Sequence, residues 1–360
     1  MIPPQEFILV IDDAMDSSRS ALVGKLDQVA ASDQIWKDRK SVLGDSEELN
    51  HASDVAEISI QGTDALRVIP SWRYAEPTAL WTSIQEAYAS GCRVANLSIG
   101  TFVATYLNSY PEGLLQPLLS KYSKPTVGVL LRGMEQFLDK TYKVGASGDS
   151  FPELARLYAS ILEDHEPLDF SSFSDLRKNF ELVSLTTSFR SLMTSILKNY
   201  HSLGVEELLQ AIRTYPDMTF VLSAGNGSLN LDAKNRRIYP LTEGSFPNVI
   251  VVTSVDREGS LSSFSNYGRD HVHLAAEGGA VLVQRTEGSH FVSGTSYATP
   301  QVARTCAKMR LIQPSLSPTD IRQILQKTVK KSPHLDPLVA WGGILDEDEA
   351  CKQARDWVKL

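Results

Sequence analysis

Cysteine is scarce in this chain of 360 residues: only Cys92, Cys306 and Cys351 are present, far apart in sequence. An odd, sparse set offers no disulfide framework and reads as free thiols in a reducing compartment. No run of ~18 apolar residues occurs, so no membrane span is expected. The start, Met1-Ile2-Pro3-Pro4-Gln5-Glu6, lacks the basic and apolar regions of a signal peptide. Together these absences lead to the expectation of a cytoplasmic protein. Positive charge is also in deficit: 35 Lys and Arg against 43 Asp and Glu give a formal charge of −8. No basic stripe stands out, so neither nucleic acid nor an anionic membrane is an expected partner. There is no internal repeat, no low-complexity tract and no Asp-x-Asp-x-Asp-Gly loop. Neither a metal nor another cofactor is expected.

What remains is the composition of a soluble globular enzyme, 42% hydrophobic and 22% charged, long enough for one large domain. Phe7–Ile11 is a continuous apolar run, as expected of a strand buried on both faces. Further strands are expected at Leu66–Pro70, Arg93–Ile99, Thr219–Ser223 and Val249–Val252. Helical spacing falls at Ala79–Ala89 and Val205–Tyr215. Strands alternating with helices imply an α/β class with a mostly parallel central sheet and helices on both faces. Residues 101–204 differ. Leu154, Leu157 and Ile161, then Leu182, Leu185, Phe189, Leu192 and Ile196, step at helical spacing with little strand signal. They are expected to form a helical insertion within a single domain spanning 1–360.

The richest stretch for chemistry is Phe291-Val292-Ser293-Gly294-Thr295-Ser296-Tyr297-Ala298-Thr299-Pro300. Ser296 sits between a small-residue turn and a helix expected from Tyr297 onward. Free N–H groups and the positive dipole end favour a developing anion there. A nucleophilic serine needs a base for its proton, a carboxylate to orient that base and a second donor for the oxyanion. Asp12 follows the first apolar strand directly, so its carboxylate is fixed at a strand end. Asn226 follows the fourth strand in a Gly-Asn-Gly turn.

Read as Gly-Thr-Ser-x-Ala-x-Pro, residues 294–300 resemble the nucleophile motif of the subtilisin-like serine proteases, the subtilases. The resemblance implies a subtilisin-like fold with Asp12, His51 and Ser296 as catalytic triad. The chain order acid, base, serine agrees with it. Val10-Ile11-Asp12 matches the family's acid segment, although Asp13-Ala14 replaces Ser-Gly. The added charge of Asp13 is expected to raise the pKa of His51. His51-Ala52-Ser53-Asp54-Val55-Ala56 matches His-Gly-Thr-His-Val-Ala, with Ala52 for glycine and Asp54 for the second histidine; Glu57 replaces the glycine that follows. Asn226 in Ser223-Ala224-Gly225-Asn226 occupies the oxyanion-hole position. Asn96-Leu97-Ser98-Ile99-Gly100 resembles a family strand whose exposed edge pairs with an extended substrate. Residues 263–268, 274–278 and 341–346 match further segments.

By resemblance, the substrate-binding walls are Ser98, Ile99, Gly100, Ser223, Ala224 and Gly225. The charge run Lys234-Asn235-Arg236-Arg237 reads either as a solvated loop or as the floor of a basic pocket selecting acidic side chains. The expected function is a serine endopeptidase acting on peptide or protein substrates. The alternative is a catalytically silent scaffold of the same fold that binds a peptide or partner. The family commonly carries an inhibitory N-terminal prodomain, and none is expected upstream of a strand that begins almost at Met1. A regulatory partner at the 101–204 insertion, or restraint by the insertion itself, is the corresponding expectation.

Overall fold

A computed structural model describes residues 5–12, 15–16, 18–26, 47–72, 79–98, 208–228, 230–232, 246–285 and 288–357. The chain divides into two units, 1–100 with 206–360, and 101–205. All described residues belong to the first, so the helices expected at 101–204 lie outside them.

Six strands form the body of the sheet: β1 (Glu6–Asp12), β2 (Leu66–Trp72), β3 (Val94–Leu97), β4 (Thr219–Ser223), β5 (Val249–Val255) and β6 (Leu274–Glu277). They lie in the order β2-β1-β3-β4-β5-β6, every neighbouring pair parallel. The short β10 (Gly343–Ile344) adds in parallel to β6, and β9 (Lys330–Lys331) closes that edge antiparallel to β10. A separate antiparallel hairpin pairs β7 (Val281–Arg285) with β8 (Gly288–Val292). The continuous apolar runs explain the arrangement. β3, β4 and β5 are buried at every position, as strands covered on both faces must be.

Helices flank the sheet: α1 (Glu47–Ile60), α2 (Ala79–Ala89), α3 (Thr295–Ile312), α4 (Pro318–Thr328) and α5 (Glu347–Arg355), with further helical residues at 208–214. α3 is the central one. It packs on β1, β3, β4, β5 and β6 and against α1 and α5, burying Ala298, Val302, Ala303, Cys306 and Met309. Ser317 and Asp320 cap α4 reciprocally, and the Asp346 side chain accepts the Glu349 amide to cap α5.

The five expected strands are present, within three residues at each described end. β3 lies between β1 and β4, paired with β1 as far as Asn96 and with β4 as far as Leu97. The segment expected to pair with a substrate continues through Ile99 and Gly100, which lie outside the described residues. The hairpin and the β9–β10 edge had no clear sequence signal, because β7 is half exposed and β9 and β10 have two residues each.

Candidate active site

The hairpin delivers the chain to Ser296. β8 ends at Val292, and Gly294 donates its amide to the Gly278 carbonyl at 2.8 Å. The approach is too close for a side chain: a Cβ on Gly278 would lie 2.6 Å from the Gly294 oxygen. α3 starts at Thr295, two residues earlier than the sequence suggested, so Ser296 lies inside its first turn. The amides of that turn have no carbonyl partner four residues back within the helix. Pro300, inside α3, has no N–H to give the Ser296 carbonyl. Ser98 takes that place, its hydroxyl donating to the Ser296 carbonyl at 2.7 Å and accepting from Asn96 Nδ2 at 2.9 Å. The sheet thus holds the serine backbone where the helix cannot.

Asp12 is the last residue of β1 and is buried. His51 lies on α1, its Nδ1 3.1 Å from Asp12 Oδ1 and 3.0 Å from Oδ2. A carboxylate there fixes the proton on Nδ1 and leaves the Nε2 lone pair as an acceptor. The helix is firmly seated, with every residue from Ala52 to Ile60 buried. The His51 ring packs on that of Tyr297, centroids 5.4 Å apart, and Tyr297 directly follows Ser296. Asp13, expected to raise the His51 pKa, lies outside the described residues.

Asn226 faces the start of α3. Its Oδ1 accepts from both the amide and the hydroxyl of Thr295, each at 2.8 Å. Committing the oxygen this way turns the amide nitrogen, a pure donor, to the other side. Asn266 braces the preceding turn. Its Nδ2 donates to the Ala224 carbonyl, its own amide to the Gly225 carbonyl, and its Oδ1 accepts from the Gly227 amide. Gly225 has φ +96°, and a Cβ there would lie 2.6 Å from Asn266 Nδ2, so glycine is required. Ser98, Ser223, Ala224 and Gly225 are all buried around this turn and the serine. Ile99, Gly100 and the run at 234–237 lie outside the described residues.

A charged cluster behind His51 was not anticipated. Asp54 is fully buried between Arg19 and Arg285, and burial holds the nearby Glu57 carboxyl above its usual range. The signal was present as the aspartate replacing the motif's second histidine: a carboxylate on a packed helix face calls for cations, but spacing does not identify which. Among the described residues no group of His, Cys, Asp and Glu could hold a metal, and no helix is long and apolar enough to cross a membrane.

A family model described as the subtilase family matches residues 170–342, a span holding Asn226 and Ser296 but not Asp12 or His51. Subtilisin-like protease 1 of Plasmodium vivax is 33% identical over 129 residues, 34% of this chain and 20% of that protein. Halolysin of Haloferax mediterranei is 36% identical over 110 residues, 30% of this chain and 19% of that protein. The chain thus spans about a fifth of the length of the curated relatives it matches. Among solved structures, the A-subunit of the AB5 toxin from E. coli superposes with a TM-score of 0.58 at 14% identity, covering 98% of this chain and 93% of that one. That likeness extends to the fold.

Proposed function

This chain belongs to the subtilase family, and on that premise we propose that it is a serine endopeptidase working through Asp12, His51 and Ser296. His51 Nε2 takes the Ser296 hydroxyl proton as Oγ attacks the scissile carbonyl carbon. The Ser296 amide and the Asn226 Nδ2 donate to the resulting oxyanion. The C–N bond breaks as His51 returns the proton to the leaving amine, giving an acyl-enzyme. A water deprotonated by the same nitrogen then releases the acid and restores the serine. Asp12 holds the tautomer this cycle needs and stabilises the transient imidazolium.

The observation that carries the reading is the Asp12–His51 hydrogen bond beside the residue that follows Ser296. Substrates are peptides or proteins, and the site of action is the cytoplasm. The 101–204 segment is proposed as an insertion that restrains or directs the protease. Labelling with a fluorophosphonate tests the chemistry: the intact protein is labelled, while Ser296→Ala and His51→Ala are not. An intact protein that takes no label and hydrolyses no peptide library would leave the silent scaffold as the function. Deleting 101–204 with no change in activity or selectivity would remove the proposed restraint.

A further inference from the structure

We propose that Asp54, clamped by Arg285 and Arg19, is a positioning residue that holds the three catalytic segments in register. This rests on the serine-protease reading above. Each of the three segments contributes to one buried cluster. Arg19 lies on the chain that follows β1 and hence Asp12. Its Nη1 donates to Asp54 Oδ1 at 2.5 Å, and its Nη2 to Asn50 Oδ1 at 2.5 Å. Asn50 immediately precedes His51, and Asp54 lies three residues beyond it, nearly one helical turn. Arg285 ends β7 and pairs with Gly288 of β8, the strand that leads to Ser296. Its Nη2 meets Asp54 Oδ2 at 2.7 Å and its Nε meets Oδ1 at 3.4 Å, a two-pronged grip.

Neighbouring contacts reinforce the same joint. The Gln284 amide donates to Glu57 Oε1 at 3.3 Å, binding the hairpin to α1 a second time. Ser53 Oγ accepts the Asp16 amide at 2.8 Å, binding the segment after β1 to α1 again. The side chain of Asp54 is 0% exposed, and those of Arg19 and Arg285 are 3% and 9% exposed. Water therefore cannot substitute for a lost partner, and the geometry is fixed by the charges. None of these side chains touches reacting atoms in the proposed mechanism. They act by deciding where α1 places His51 relative to β1 and to the hairpin before Ser296.

The test is Arg285→Lys in the full chain, which keeps the charge and loses the planar fork. Circular dichroism establishes that the variant is folded. The expected result is a kcat about 10²-fold below the parent, the scale of a small misplacement of catalytic groups. KM stays within about twofold, because the loss falls on the transition state. The Nδ1–H proton resonance of His51, assigned by its disappearance in His51→Gln, moves, because that proton reports the bond to Asp12. A folded variant with parental kcat and an unmoved resonance overturns the proposal, as does a loss confined to KM. If Arg285→Lys melts below the assay temperature, the same two measurements on Arg19→Lys decide, read identically. The resonance needs no turnover. If the parent shows no activity, the protease reading fails, and the His51 signal still tells whether Arg285 sets the ring.

Discussion

Two histidine–aspartate pairs in this molecule share one chemistry and differ in what surrounds them. His51 Nδ1 stands 3.0 and 3.1 Å from the two oxygens of Asp12, and His271 Nδ1 stands 2.7 Å from Asp232 Oδ1. Both imidazoles are 26% exposed, while Asp12 is drier than Asp232, 9% against 22%. By hydrogen-bond length alone the second pair is the better one. Yet Asp232 Oδ1 also accepts the Asp270 amide at 3.1 Å, and a Cβ on Gly268 would lie 2.6 Å from it. That carboxylate fixes the turn at 268–271. Asp12 instead ends a parallel strand, and its histidine packs beside the residue after a serine in the first turn of α3. A carboxylate shows that an imidazole is oriented. What lies at the other nitrogen decides whether it is a base.

Exchanging the two histidines gives the largest contrast. His51→Ala should lower kcat on the order of 10⁶-fold, a magnitude taken from loss of the corresponding residue in subtilisin. His271→Ala should leave kcat within about twofold and cost about 1 kcal/mol of stability, one modest hydrogen bond. Equal kinetic losses in both would erase the distinction. The aspartates repeat the contrast on a smaller scale. Asp12→Asn should cost about 10⁴-fold in kcat by favouring the wrong tautomer, and Asp232→Asn should cost none. Asn226→Ala should lower kcat by about 10²–10³-fold with little change in KM, again a magnitude known from subtilisin. A change seen mainly in KM would place Asn226 in substrate binding rather than in the oxyanion hole.

The same contrast bears on what could be read from sequence. Ser296 and Asn226 were legible because each needs specific small neighbours. Gly225 must take positive φ against Asn266, and Pro300 must leave the Ser296 carbonyl to Ser98. Such backbone demands leave dense local motifs. The five expected strands were legible because burial on both faces forces continuous apolar runs. Asp12 and His51 were far less so. Their pairing is one contact across 39 positions of chain, and a side chain meeting a distant partner leaves no local pattern. Arg19 and Arg285 were illegible for the same reason: nothing near either one marks it as a partner of Asp54. The place of β3 between β1 and β4 was not legible either, because strand order is set by tertiary pairing, and Val94–Leu97 reads the same at an edge or at the centre.

A third histidine, one without a carboxylate, sharpens the comparison through pH. His273 accepts the Val251 amide on Nδ1 at 2.8 Å and packs on Trp341 with ring centroids 5.2 Å apart. Burial, and next the Arg322 charge, push its pKa from 6.5 down to about 3. The unfolded chain takes up a proton at this residue below pH 6.5 and the folded chain refuses it until about pH 3. Between those values the unfolded state binds more protons, so stability falls as pH falls. At up to ~1.4 kcal/mol per pH unit, reached once the unfolded residue is fully protonated, the loss from this residue between pH 6.5 and 4.5 is about 2 kcal/mol. His273→Gln keeps an acceptor for the Val251 amide and removes the titration. The variant should be the less stable at neutral pH, from lost packing on Trp341, and should lose less further stability on acidification. Urea unfolding of both proteins at pH 7 and pH 4.5 reads the difference of differences, in which contributions from the carboxylates cancel. Parallel losses would mean that His273 is protonated in the folded protein, and that the interior beneath Trp341 admits a charge.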